Sequence, residues 1–343
     1  MSDDAANRQA LRLAVRPDGS AFAAWARAHA GAVDWPWVLG AAEAHKLAAL
    51  LAARLAGAGI DTSLDARLRR RLFMARVEAA RRAGMAERTL ATVAAALDAG
   101  DLPFFVVKGS VLARQVYGDP HLRRFADVDV VVRHADVPRA EALLAQLGYR
   151  AGGAEGLLAT RLTGDAEHAR AQVLTRDFDR RHLAAHTWYA PAAMLIHLAA
   201  HATTCLLNGF RLLHLVDVAW AATRFADQAA ATWQLAAEWR VAPHLAQVLA
   251  MAERLLEIEL PLDAGPGAPR PARPWSEAAT TEAFLLDAAH LARRSPASRL
   301  WREAVWSVAM GCVRRNVTVV CAASLARARF RTFRRQQRSS RAV

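Results

Sequence analysis

Two apolar runs near the middle of the chain leave few choices of fold, because the second run carries two carboxylates. Residues 104–107, Phe-Phe-Val-Val, are aromatic and β-branched, which predicts a short buried strand. Residues 127–132, Asp-Val-Asp-Val-Val-Val, predict a second strand. Because side chains alternate along a strand, Asp127 and Asp129 share one face and repel each other unless a cation lies between them. The pair therefore predicts a divalent-metal site, the alternative being an edge strand with a solvated acidic face.

A turn suited to an anionic group lies between the two runs. Lys108, Gly109 and Ser110 follow the first strand and lead into a predicted helix over residues 111–117. Gly109 would let the backbone approach a phosphate closely, and Ser110 would add a hydroxyl donor. Lys108 would either neutralise phosphate charge or form a salt bridge with one of the two aspartates. The turn and the acidic strand together predict a phosphate-and-metal site.

The segment KGSVLARQVYGDPHLRRFADVDVVV resembles the bacterial "uncharacterised nucleotidyltransferase" family, which is similar to nucleotidyltransferases of the DNA-polymerase-β type. The residues that match this pattern are Lys108, Gly109, Tyr117, Asp119, Pro120, Arg123, Asp127 and Asp129. The helical segments 34–55 and 194–222 also resemble the flanks of the family, so the resemblance covers roughly residues 30–225. It implies an enzyme that moves a nucleoside monophosphate from a nucleoside triphosphate to an acceptor, with Mg²⁺ or Mn²⁺. The implied contexts are the synthesis of a surface polysaccharide or a modified peptide product, or transfer onto tRNA or a protein.

The resemblance also implies roles for individual side chains. Asp127 and Asp129 are the implied metal ligands and catalytic residues, whereas Lys108, Gly109 and Ser110 are implied contacts for the nucleotide. Arg123 either steadies the triphosphate or holds the preceding turn through Asp119, and the sequence does not favour one of these over the other.

A third acid is missing from the position where the family has one. The family pattern there is an acid, an apolar residue and then histidine, and this chain has Ala184, Ala185 and His186. His186 is therefore the implied third catalytic side chain, and Asp177 and Asp179 are candidate substitutes for the acid. The departure keeps a second interpretation open, in which a catalytically degenerate module binds a nucleotide or a protein partner. A weaker third interpretation is a basic protein that binds nucleic acid.

The histidines on the next helical segment have a structural explanation. His197 and His201 are spaced i and i+4, so they share one face of a predicted helix. A helix packed on the core, with one histidine lining the cleft, is favoured over a metal site. Asp217 matches a position of the family and is expected to cap or to salt-bridge helices around the acceptor pocket.

The chain as a whole predicts an α+β fold, in which a small mixed sheet is embedded between helical regions. Residues 21–56 predict two helices with Asp34 as the N-cap of the second, and residues 64–99 predict one long helix. A further strand pair is expected at 172–175 and 182–188. The predicted divisions are a helical region (1–99), the transferase core (100–190), a second helical region (191–263), a Pro/Gly-rich linker (264–275) and a helical C-terminal region (276–343).

Charge and cysteine content bear on partners and location. The net charge is +13, and the stretch from residue 327 to the end carries seven arginines and no acid. That tail would either contact an anionic partner or be the solvated end of a basic helix. Three scattered cysteines and a polar, acidic N-terminus predict a cytoplasmic protein without disulfides or a signal peptide. No stretch is apolar enough to predict a transmembrane segment.

Overall fold

The order of the elements explains how a small sheet comes to lie inside a helical protein. The computed structural model describes residues 4–125, 127–154, 159–163, 170–175, 183–184, 188–205, 211–239 and 241–262. The helices are α1 Asp4–Val15, α2 Ser20–His29, α3 Trp35–Ala44, α4 Ala48–Ala58, α5 Ala66–Ala99, α6 Gly109–Gln115, α7 Val137–Gln146, α8 Pro191–Cys205, α9 Leu212–Arg224, α10 Ala229–Glu238 and α11 Ala242–Leu256. The strands are β1 Phe104–Val107, β2 Asp127–Val132, β3 Arg150–Ala154, β4 Ala159–Thr163, β5 Arg170–Thr175, β6 Leu183–Ala184 and β7 Trp188–Tyr189.

The described strands form one mixed sheet in the order β3-β4-β5-β2-β1-β7-β6. The two central strands have the bounds that the apolar runs predict, and they pair antiparallel with Phe104 opposite Val132 and Val107 opposite Asp129. On its other edge β2 pairs in parallel with β5. The side chains of β1 are all buried, as an apolar run without a polar alternate predicts. The predicted α+β class is confirmed.

One predicted strand pairing is wrong. Strands were expected at 172–175 and 182–188 and were expected to pair with each other, but β5 pairs with β2 and β4. The short strands β6 and β7 lie on the opposite side of the sheet, where β7 pairs with β1. Residues 150–154, expected to be part of an irregular segment, form β3. Strand order depends on contacts between distant segments, which a local pattern does not contain.

Helices surround the sheet and share its apolar core. The N-terminal region contains three helices between residues 20 and 58 where two were expected, because α3 and α4 are separate. Asp34 caps α3 as predicted, since its carboxylate accepts a hydrogen bond from the backbone N–H of Trp37. Gly148 ends α7 with a φ of 84°, a conformation in which glycine is not strained. Side chains from α1, α3, α5, β1, β2, α8, α9 and α11 contribute to one continuous cluster of buried apolar residues.

Within the described ranges no helix is both long enough and apolar enough to cross a membrane. The predicted linker (264–275) and C-terminal region (276–343), with its arginine-rich tail, lie outside the described residues.

Candidate functional site

The two aspartates of β2 lie on one face of the strand and differ in exposure. Asp127, at the start of β2, is half-buried, whereas Asp129 is 3% exposed. Because Asp129 is paired with Val107 at the end of β1, the next residue, Lys108, lies beside it. Lys108 Nζ is 3.4 Å from Asp129 Oδ1. Of the two roles predicted for Lys108, the salt bridge is the contact that this structure contains.

The turn that follows β1 is strained at Lys108. This residue has φ 59° and ψ −124°, a conformation that residues with a Cβ rarely adopt, and α6 begins at the next residue. A Cβ at Gly109 would lie 2.8 Å from the Cβ of Phe125, so a larger residue does not fit there. Phe125 therefore packs into the space that a side chain at Gly109 would occupy.

Among the described residues, the Ser110 hydroxyl and Asp129 Oδ1 are buried polar atoms without a hydrogen-bond partner, although Asp129 Oδ1 has its ion pair with Lys108. Buried polar atoms are nearly always satisfied, so the Ser110 hydroxyl, in the turn after β1, fits a group that binds there. A divalent cation of the Mg²⁺ type takes carboxylate oxygens, which agrees with the donors present. Among the described residues, no group of three or more His, Cys, Asp or Glu side chains could hold a metal ion.

The electrostatics of the site disfavour an empty pair of carboxylates. The pKa of Asp129 is raised to about 6, because burial and the charge of Asp127 raise it more than Lys108 lowers it. A bound cation would favour the charged form of Asp129, because it would attract both carboxylates and replace the hydration that Asp129 has lost.

Arg123 is held by a partner that the sequence did not identify. Its Nε and Nη2 donate hydrogen bonds of 2.7 Å each to the two carboxylate oxygens of Asp217 on α9. The Tyr117 hydroxyl donates to the same carboxylate at 2.9 Å, and its ring stacks on Trp220. Asp119, one of the two expected partners of Arg123, instead accepts from the backbone N–H of His121.

This buried network fixes the segment that leads into β2. Burial disfavours the charged form of Arg123, but the carboxylate of Asp217 outweighs it, so the pKa of Arg123 is raised and the guanidinium stays charged. Asp217 was expected to cap or salt-bridge helices, and its salt bridge joins α9 to Arg123 in the non-helical segment before β2. The pair ties residues 117–123 to α9 across about a hundred positions of sequence, which is beyond the reach of local patterns.

Lys46 is a residue of this region that sequence reasoning missed. It follows α3 with φ 63°, in the left-handed conformation that usually selects glycine or asparagine. Burial lowers the pKa of Lys46, as do Arg211, Arg123 and Arg124, whereas the charge of Asp127 raises it. Nothing in the sequence around Lys46 marks this conformation, because no glycine or proline interrupts the helical pattern there.

Histidines of α8 and α9 border the same cations. The ring centroids of His197 and His201 are 6.4 Å apart and those of His201 and His214 are 5.3 Å apart. Burial, with the charges of Lys108, Arg123 and Lys46, lowers the pKa of His201 to about 3, so the ring is neutral at pH 7. His201 is thus a histidine of a packed helix that faces the cationic side chains of the site.

The residues predicted around the missing third acid lie apart from this group or outside the described residues. Ala184 lies on β6, whereas His186, Asp177 and Asp179 fall outside the described residues. The assignment of His186 as a catalytic residue stays a prediction.

The model of a family described as "Uncharacterised nucleotidyltransferase" matches residues 31–186, which confirms the resemblance seen in the sequence. No curated protein matches the chain. A solution structure of the antibiotic-resistance factor ANT(2'')-Ia is 13% identical, covers 46% of this chain and 94% of its own, and has a TM-score of 0.35. A crystal structure of ANT(2'')-Ia with adenylyl-2''-tobramycin is 16% identical, covers 47% of this chain and 95% of its own, and has a TM-score of 0.33.

Proposed function

Since residues 31–186 belong to the uncharacterised nucleotidyltransferase family, we propose that this protein transfers a nucleoside monophosphate from a nucleoside triphosphate to an acceptor. In this reaction an acceptor oxygen bonds to the α-phosphorus, and the bond to the β-phosphate breaks to release pyrophosphate. The observation that carries the proposal is the buried carboxylate of Asp129, whose Oδ1 lacks a hydrogen bond and whose neighbour on the same strand face is Asp127. A divalent cation would bind both carboxylates at once, whereas Lys108 is paired with Asp129.

The residues present would hold a divalent metal ion and the phosphates. Asp127 and Asp129 would hold Mg²⁺ or Mn²⁺, which when bound supplies Lewis-acid polarisation of phosphoryl oxygens. Lys108 is near enough to Asp129 to neutralise one phosphate charge after releasing that carboxylate. Ser110 has a buried hydroxyl that lacks a hydrogen-bond partner among the described residues and could donate to a phosphate oxygen. Arg123 is held by Asp217, so we assign it to positioning the approach to β2 and to a long-range charge on the phosphates.

A second candidate function is a nucleotide-binding module without turnover. The observation in its favour is Ala184, which stands where the family has an acid. Without that acid, the deprotonation of an acceptor hydroxyl would depend on another group, for which His186 is the candidate. The two functions differ in pyrophosphate release, which only the enzyme performs.

The test is pyrophosphate release from each of the four ribonucleoside triphosphates with Mg²⁺ or Mn²⁺ and a cell extract that supplies acceptors. The blank is the double variant Asp127→Asn/Asp129→Asn. The matched control is Glu259→Gln, which removes an exposed carboxylate that has no ion-pair partner in the described part of the chain. Release by the wild type and the control but not by the double variant supports the transferase. Release by the double variant would refute the site, and nucleotide binding without release would favour the second candidate.

A further inference from the structure

A cavity with a basic lining lies near the acidic strand, among residues that have no role in the reaction proposed above. It has a volume of about 560 Å³ and is bounded by the connection from α3 to α4, by the first half of α5 and by the segment before β2. A cavity of this size holds a small ligand or one end of a larger one. Its basic lining residues are Lys46, Arg67, Arg70, Arg71 and Arg124.

Among the described residues, the acidic side chains of the cavity pair with one of these five cations. Glu43 is paired with Arg71 at 2.8 Å. Glu78 is bound by Arg81 and Arg82, which do not line the cavity, and the hydrogen bonds from these two arginines lower the pKa of Glu78 to about 2. In the part of the chain that the structure describes, the other four basic side chains of the cavity, Lys46, Arg67, Arg70 and Arg124, have no carboxylate within 4.0 Å.

The cations of this cavity outnumber its carboxylates, which favours the binding of an anion. Like charges that share a cavity repel each other, and a bound anion would convert this repulsion into attraction. Lys46 strengthens the argument, because it keeps a left-handed conformation in which glycine or asparagine would be less strained. Side chains held in strained conformations are frequent where a ligand is bound.

The position of the cavity separates it from the predicted phosphate turn. Its lining contains none of Lys108, Gly109, Ser110 and Asp129, which are the residues assigned above to the nucleotide and the metal. The cavity is connected to the acidic strand by Arg124, three residues before Asp127, and by Lys46, on which the charge of Asp127 acts. A molecule in the cavity would thus lie near β2 without contacting the residues assigned above to the triphosphate.

We propose that this cavity takes the acceptor and that the acceptor carries a phosphate monoester. The inference rests on the proposed function, whose acceptor it assigns to a chemical class. A dianionic phosphate matches several convergent cations better than a single carboxylate does, and guanidinium groups bind phosphate oxygens in a bidentate manner. A polycationic acceptor would be repelled by the same lining.

The test is calorimetric titration of the full-length protein with glycerol 3-phosphate and with inorganic phosphate, without nucleotide or metal. The variant is Arg67→Gln/Arg70→Gln. The control is Arg69→Gln/Arg76→Gln, which removes two exposed arginines of the same helix that do not line the cavity. Glutamine has a helix propensity similar to that of arginine, so both variants should fold, which their melting temperatures check. We expect glycerol 3-phosphate to bind about tenfold or more weakly to the variant and within about twofold of wild type to the control.

Two further measurements separate this inference from the proposed function. The variant Asp127→Asn/Asp129→Asn should bind glycerol 3-phosphate at least as well as the wild type, since it removes nearby negative charge. In Arg67→Gln/Arg70→Gln, the affinity for nucleoside triphosphate with Mg²⁺ should be unchanged. An equal loss of nucleotide affinity would mean that the cavity holds the triphosphate, and the absence of phosphate binding to the wild type would mean that it holds no such anion. Either result overturns the inference. Phosphate binding without pyrophosphate release would contradict the proposed transfer and the acceptor role, while leaving the anion site in place.

Discussion

Replacing Asp129 with asparagine should stabilise the metal-free protein near neutral pH. The carboxylate is 3% exposed and its pKa is raised from 3.8 to about 6, first by burial and then by the charge of Asp127. The folded protein therefore binds a proton at Asp129 more tightly than the unfolded chain does. A raised acid pKa gives stability that is fully present below pH 3.8 and is lost as the pH rises through about 6.

The size of the effect follows from the shift. A shift of about two pKa units corresponds to about 3 kcal/mol between the two protonation states. Asparagine has nearly the same shape and does not titrate, so it avoids this loss. The difference in free energy of unfolding between Asp129→Asn and wild type should therefore grow by up to about 3 kcal/mol between pH 4 and pH 7.5.

The assay is urea unfolding of both proteins at several pH values with a chelator present. Glu259→Gln serves as the control for the removal of an exposed carboxylate. Added Mg²⁺ should stabilise the wild type at pH 7.5 but not Asp129→Asn, because a bound cation removes the same unfavourable charge. A difference that is flat with pH, or that falls as the pH rises, would refute the electrostatic account of Asp129.

Three other substitutions test separate parts of the structure. Asp217→Asn should lower the free energy of unfolding by about 3–5 kcal/mol, because it leaves the buried guanidinium of Arg123 without its counter-ion; urea unfolding measures it, and a loss below about 1 kcal/mol would contradict the buried pair. Gly109→Ala should destabilise by about 1–3 kcal/mol through its collision with Phe125, and an unchanged melting temperature would contradict that contact. Lys46→Gly should leave the melting temperature nearly unchanged, since relief of left-handed strain offsets the added freedom of the unfolded chain, but it should weaken glycerol 3-phosphate binding; unaltered binding would remove Lys46 from the cavity.

The central strands could be predicted from the sequence because their signal is local. Apolar, β-branched runs such as residues 104–107 have few other uses, and the alternation of β2 states which residues share a face. The order of the sheet and the pair of Arg123 with Asp217 could not be predicted in this way, since each depends on segments brought together by the fold. The resemblance to a family marked Asp217 as a matching position but did not predict that it pairs with Arg123.

The break between α3 and α4 was missed for a different reason. Helices usually end at glycine or proline, and the sequence His45-Lys46-Leu47 contains neither. The chain turns there because Lys46 itself adopts the left-handed conformation, with the backbone N–H of Leu47 bonded to the carbonyl of Ala42. Lys46, which ends α3 without a glycine, also lines the cavity with its side chain.

Two lysines near the acidic pair, Lys46 and Lys108, combine a strained backbone with a charge that acts on an aspartate. Among the described residues, the non-glycine positions with positive φ are Lys46, Asp101, Lys108 and Glu257. The two lysines are the ones whose charges act on Asp127 and Asp129, one from the cavity and one from the end of β1. At either position glycine would relieve the strain but would leave fewer cations near the two aspartates. The presence of lysine at both positions is the pattern expected where the charge that the proposed reaction needs outweighs a local loss of stability.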